Sequence, residues 1–196
     1  MKNWIAFCAF IVMLGVSFGI YYFSVHKVSA MEIPENIVLE SIDGDTFMFE
    51  NAPEKVRFIE FIYTKCPYIC PTTTMHMKDL KADLRDAGIT NEEVEFLVIT
   101  IDPRRDTKEV LVEYAETFNI DTNDGWKVLR AEASEIERLT SSFEYYYQDP
   151  GNGMITHTSS TYLLDQQNNV VAVYGMGDNG FDKDKILNKI QKLLNK

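Results

Sequence analysis

Apolar residues fall along this chain in three patterns, and each predicts a different element. From Trp4 to Phe23 they run without a single charge, as WIAFCAFIVMLGVSFGIYYF. From Val56 to Thr64 (VRFIEFIYT) and from Val94 to Ile101 (VEFLVITI) they form short dense runs rich in β-branched and aromatic residues, the composition of strands buried on both faces. Elsewhere they recur at helical spacing. Met77, Leu80, Leu84 and Ala87 form one such stripe, Ile136, Leu139 and Phe143 a second, and Ile186, Leu187, Ile190, Leu193 and Leu194 a third, each marking one buried helix face.

Punctuation between the runs fills in the order. Asp43-Gly44-Asp45 separates two apolar stretches within Ile37 to Phe49, a strong hairpin signal because Asp-Gly suits a tight turn. Pro67 and Pro71 break the chain after the first dense strand, Thr72, Thr73 and Thr74 read as caps of the following helix, and Gly88 sits where a left-handed C-cap belongs. Pro103 ends the second strand, and Asp106 and Glu109 have capping-box spacing for a helix reaching about Phe118. Trp126 to Leu129 reads as a short strand and Ser134 to Phe143 as a helix. Tyr145, Tyr146 and Tyr147, followed by Pro150, Gly151 and Gly153, read as a flexible loop; packing and strand propensity account for the aromatic cluster, and no function is assigned to it. Thr161 to Leu164, the turn Gln166 to Asn169 and Val170 to Tyr174 make a hairpin, and Phe181 to Leu194 a closing amphipathic helix. The result is an α/β order of hairpin, strand, helix, strand, helix, strand, helix, hairpin, helix.

The uncharged N-terminal run stands apart from that domain. As a helix its 20 residues span about 30 Å, the thickness of a hydrocarbon core. Trp4 at one end and Tyr21 and Tyr22 at the other resemble an interfacial aromatic belt. Residues 1–3 are then a short flank, residues 4–23 a transmembrane anchor or uncleaved signal, residues 24–34 a linker, and residues 35–196 the folded domain. Val28-Ser29-Ala30 offers small residues where a signal peptidase cuts, but the apolar run exceeds an ordinary signal core, which favours retention. Cys8 is a poor lipoprotein site and reads as membrane-facing. The expectation is a membrane-anchored chain whose domain lies on the extracytoplasmic side.

Composition narrows the function. With 45% hydrophobic residues among 196, a sizeable core is within reach. A net charge of −11 excludes the basic footprint that nucleic-acid binding requires.

Candidate chemistry gathers at Cys66 and Cys70, the only cysteines outside the N-terminal run. They flank the junction of the first dense strand with its helix, where the helix N-terminus stabilises a thiolate. Two cysteines four apart there can close a disulfide or share a soft metal ion; the bland alternative is a pair of buried structural cysteines. Met75-His76-Met77 invites a copper reading, but adjacent helical residues diverge by about 100° and do not converge on one ion.

Three blocks, FIYTKCPYICP, VITIDPRRDT and MITHTSSTYLLD, resemble the SCO/SenC family, the thioredoxin-like copper proteins that help assemble the dinuclear copper centre of cytochrome c oxidase. The resemblance covers roughly residues 33 to 192. It implies a thioredoxin-like fold with an N-terminal β-hairpin extension, preceded here by the expected transmembrane helix. It also implies one copper ion per chain, as Cu(I) or Cu(II), held by Cys66, Cys70 and His157. Cys66 and Cys70 would double as a redox-active pair able to form a disulfide. The implied partners are the copper-binding subunit of cytochrome c oxidase and the membrane. Two thiolates and an imidazole suit copper, whereas structural zinc asks for a fourth protein ligand that is not evident.

The chain departs from the family pattern in two places. Tyr68 stands between the cysteines where an acid is frequent, and Thr156 precedes His157 where some members carry an acid. Asp102, at a strand's carboxyl end, is a candidate neighbour of the site, and Asp106 reads as a cap. Two functions follow from the resemblance: a copper metallochaperone, or a membrane-tethered thiol–disulfide oxidoreductase that reduces the oxidase cysteines.

Overall fold

The structure, a computed structural model, describes residues 2–29 and 31–195. The side chains of residues 2, 3, 5–7, 9 and 23–29 lie outside the described set. The first helix, α1, runs Lys2–Ser29, and its described apolar side chains, among them Phe10, Ile11, Leu14, Phe18 and Ile20, are exposed. Among the described residues no helix is long and apolar enough to cross a membrane. The anchor expected over residues 4–23 falls partly on side chains outside that set, as does the small-residue motif ending at Ala30.

A seven-stranded sheet organises the rest, in the order β2-β1-β5-β4-β3-β8-β9. The N-terminal hairpin is β1 (Leu39–Ser41) and β2 (Thr46–Phe47), turned at Gly44 with φ +95°. Strands β3 (Val56–Ile62) and β4 (Val94–Thr100) are buried at every position. They pair in parallel with each other, and β4 pairs in parallel with β5 (Trp126–Arg130). The antiparallel hairpin β8 (Ser160–Leu164) and β9 (Val170–Gly175) completes the other edge against β3. Central strands covered on both faces need continuous apolar sequence, and that is why these runs were dense. Arg57 interrupts β3 without cost in unpaired groups. It sits in register with Glu95 on β4, bonds it at 3.1 Å, and donates to the Asn168 side chain and the Pro53 carbonyl.

Four helices follow their strands: α2 (Ile69–Asp86), α3 (Lys108–Thr117), α4 (Ala133–Ser142) and α5 (Lys183–Leu193). This is the expected hairpin-then-alternating order, with the parallel β3-β4-β5 core at its centre. Gly88 closes α2 as expected, at φ +76°, and Ile89 N–H returns to the Leu84 carbonyl.

Two expected caps are corrected. Helix α2 begins at Ile69, and its N-cap is Tyr68 rather than any of Thr72, Thr73 or Thr74. Pro71 lies in the first turn, where its missing N–H has no helical partner to lose. The threonines are helical, and Thr72 and Thr73 turn their hydroxyls back to the carbonyls of Tyr68 and Ile69. The cap of α3 is Thr107, whose hydroxyl accepts from Val110 N–H, not Asp106.

Candidate metal centre

Strand β3 ends pointing at the cysteines. The chain leaves Ile62, turns through Tyr63 and Thr64, and places Cys66 at the mouth of α2 and Cys70 in its first turn. The turn is anchored from below by Asp106. One carboxylate oxygen accepts from the Thr64 N–H (3.1 Å) and the Thr100 hydroxyl (2.5 Å), and the other accepts from the Thr64 hydroxyl (2.5 Å). Asp106 is fully buried and its bond to Thr100 is made away from water, where a charge-assisted bond is strongest. They bind the DPRRDT turn to the residue two before Cys66.

His157 arrives from a two-stranded ribbon that sequence reasoning read as a loop. Strand β6 (Tyr147–Gln148) pairs antiparallel with β7 (Thr156–His157), with Tyr147 opposite His157. Asp149-Pro150-Gly151-Asn152-Gly153 closes the ribbon; a turn cluster between aromatic and β-branched residues was the available signal. The Sγ atoms of Cys66 and Cys70 and a ring nitrogen of His157 all lie within 4.8 Å of one another. Among the described residues this is the one His/Cys/carboxylate cluster with that geometry.

Tyr145 completes the arrangement. Its hydroxyl lies 2.8 Å from His157 Nδ1, and the same nitrogen lies 2.8 Å from the Thr158 carbonyl. A carbonyl only accepts, so Nδ1 carries the proton, and Nε2 is left to face the sulfurs. The rings of Tyr145 and Tyr63 flank the imidazole, with centroids at 6.0 and 5.7 Å. Holding a ligating histidine by its second nitrogen fixes the ring and the tautomer. Tyr145 was thus assigned no role where it has one.

Electrostatics separate the two sulfurs. Cys70 donates a hydrogen bond to Cys66, and His157 and the backbone N–H groups of Cys70 and Tyr68 add to it. Together they overcome burial and bring the Cys66 thiol down to about 4. The Cys70 N–H lies 3.4 Å from Cys66 Sγ. Cys70 is pushed well up, first by donating to Cys66, then by burial and by the charge of Glu60. Burial works against the His157 cation, but the hydrogen bonds to Cys66 and to Thr158 outweigh it and its pKa is raised. Of the two sulfurs, Cys66 is the one whose surroundings favour the thiolate.

The other sequence candidates lie elsewhere. Asp102 pairs with Arg105, which in turn reaches Asp149 at 2.9 Å. His76 pairs with Asp178 at 2.9 Å, and Met75 is exposed. Cys66 and Cys70 are free thiols, as is the exposed Cys8. A cleft of about 350 Å³ beside Cys66, walled by Pro71, Val110, Tyr114 and Phe118, opens the site toward α3.

A sequence model of the SCO1/SenC family matches residues 32–195. This chain belongs to the SCO1/SenC family. The SCO1 protein homolog of Bacillus subtilis is 30% identical over 148 residues, 74% of this chain and 75% of that one. The copper-bound structure of Arabidopsis thaliana ScoI superposes with a TM-score of 0.70 at 25% identity, covering 84% of this chain and 99% of the other. BsSco, a member of the Sco family of cytochrome c oxidase assembly proteins in which a disulfide switch was identified, superposes with a TM-score of 0.70 at 28% identity, over 81% and 91%. The thioredoxin-like α/β fold expected for a SCO1/SenC protein is the fold observed. The donor set also fits the metal: two sulfurs and one imidazole on a buried wall are a soft, three-coordinate site suited to copper.

Proposed function

We propose that this SCO1/SenC protein is a copper metallochaperone that holds one copper ion between Cys66, Cys70 and His157. It would pass that ion to the copper-binding subunit of cytochrome c oxidase during assembly. In this reading α1 tethers the domain to the membrane and the domain faces the extracytoplasmic side, where proximity raises the effective concentration of a membrane-embedded partner. The uncharged sequence of Trp4 to Phe23 and the exposed apolar side chains of α1 support the tether.

The observation that carries the proposal is His157. A dithiol reductase needs two cysteines and a stabilised thiolate. It has no use for an imidazole locked by Tyr145 and Thr158 with its free nitrogen turned to both sulfurs. A copper carrier uses that nitrogen as a third ligand and keeps a side open for the acceptor.

A second reading has its own support. The low pKa of Cys66, with Cys70 beside it, is what thiol–disulfide exchange with oxidase cysteines requires. Oxidase activity in cells carrying His157→Ala, Cys66→Ser or Cys70→Ser separates the two. Copper delivery predicts comparable loss in all three, with added copper partly rescuing His157→Ala. Normal activity with His157→Ala, beside loss in either cysteine variant, favours the reductase. In the same cells a membrane-impermeant label on an introduced surface cysteine reads the topology; a domain that stays unlabelled until lysis contradicts the extracytoplasmic placement.

A further inference from the structure

Tyr68 stands between the two cysteines. Its side chain is exposed, and its hydroxyl donates to Asp178 Oδ2 at 2.7 Å. The other oxygen of Asp178 takes His76 Nε2 at 2.9 Å, and the His76 ring stacks on Phe181 with centroids 5.4 Å apart. One residue earlier, Gly177 N–H donates to the Thr73 hydroxyl at 2.9 Å, and this bond is buried. Gly177 has φ +67°, and a Cβ there would lie 3.4 Å from Ile69 Cγ1. The corner between β9 and α5 is therefore docked on the first two turns of α2 through Thr73, Tyr68 and His76.

The docking bears on the sulfur through the backbone. Tyr68 is the N-cap of α2, in an unusual conformation at φ −144° and ψ −62°, and its side chain makes no capping bond. Its carbonyl accepts the first helical bond, from Thr72 N–H at 3.1 Å. Two residues on, in the first turn of α2, the Cys70 N–H lies 3.4 Å from Cys66 Sγ. An N-cap usually holds its own conformation through its side chain. Here that side chain is held by Asp178 instead.

We infer that Asp178 is a positioning residue for the cysteine pair: by clamping Tyr68 to the β9–α5 corner, it fixes the first turn of α2, whose Cys70 N–H hydrogen-bonds Cys66. The inference rests on the reading of Cys66 and Cys70 as the working pair, and deepens it. The clamp acts on the reduced pair, because a reduced Cys66 sulfur accepts the Cys70 N–H more strongly than a disulfide sulfur does.

The test is the dithiol–disulfide equilibrium of Cys66 and Cys70, measured on the copper-free protein in dithiothreitol redox buffers. Tyr68→Phe removes one oxygen and Asp178→Ala the carboxylate. Each is expected to move the equilibrium toward the disulfide by about three- to tenfold, tenfold being about 30 mV for a two-electron couple. The double variant is expected to move it no further than Asp178→Ala alone, because that change already removes the partner of Tyr68 along with that of His76. Asp178→Asn keeps an oxygen for Tyr68 and is expected to stay near the parent value. An unchanged equilibrium in Tyr68→Phe and Asp178→Ala overturns the inference, even if either variant unfolds more easily, since that would make the clamp purely structural. Failure of the parent protein to bind copper would count against the proposed function without touching this result.

Discussion

Glu60 stands in the middle of β3 with no exposed surface, and its Oε1 has no hydrogen-bond partner. Oε2 accepts from the Thr74 hydroxyl at 2.9 Å, and Thr74 lies 2.7 Å from the Tyr114 hydroxyl. Burial pushes the carboxyl well above its ordinary value of 4.5, opposed by the Thr74 bond and assisted by the charge of Cys66. The sign of the resulting pH dependence follows from linkage. The folded chain keeps the proton after the unfolded chain has lost it, so the contribution of Glu60 is full below the unfolded value and declines as pH rises through the folded one. Glu60→Gln keeps the shape and the Thr74 contact but has no charge to bury. It is expected to raise Tm near pH 7 by roughly 2–4 °C, the equivalent of about 1 kcal/mol in a domain of this size. It is also expected to flatten the stability slope between pH 5 and 7. Thermal melts across that range check this; a variant that melts lower at pH 7 with the slope unchanged would mean the carboxylate is stabilised as an anion.

At the scale of elements, what was legible depended on how local the signal was. Strands β3 and β4 and helix α2 announced themselves because continuous apolar runs and a helical stripe are properties of adjacent residues. Ribbon β6–β7 did not, because two residue pairs hold it and its loop-rich sequence outweighs so short a strand pattern. Cys66 and Cys70 were legible from their place at the strand–helix junction. His157 was named through family resemblance, and Tyr145 was missed because a row of three tyrosines reads as packing until its partner is known. Asp106 was misread for a similar reason. Its true partner, Thr64, is 42 residues away, while Thr107 beside it caps the helix. Removing Asp106 should therefore damage the cysteine turn rather than α3. Asp106→Ala leaves the Thr64 N–H without its acceptor, together with two threonine hydroxyls, and is expected to cost about 2–4 kcal/mol. Urea unfolding measures the loss, and a cost below about 0.5 kcal/mol, the scale of an ordinary surface change, would deny the carboxylate its anchoring role.

Across the whole molecule, three distant segments deliver the site. The end of β3 and the start of α2 bring the sulfurs, the DPRRDT turn holds them from beneath, and the β6–β7 ribbon brings the imidazole beside them. Each segment is fastened by its own hydrogen bonds, so on the proposed reading the donors would be preorganised and little ordering would remain to oppose binding. The SCO1/SenC family supplies the expectation of copper, and the geometry supplies three ligand atoms within 4.8 Å. The most direct test of that account is an anaerobic Cu(I) competition titration on the reduced protein, run on the parent chain and on Cys66→Ser, Cys70→Ser and His157→Ala. The account predicts one Cu(I) per chain in the parent, loss of tight binding in both serine variants, and affinity lowered at least tenfold in His157→Ala. Parent-like affinity in His157→Ala, with both cysteines reduced, would contradict it.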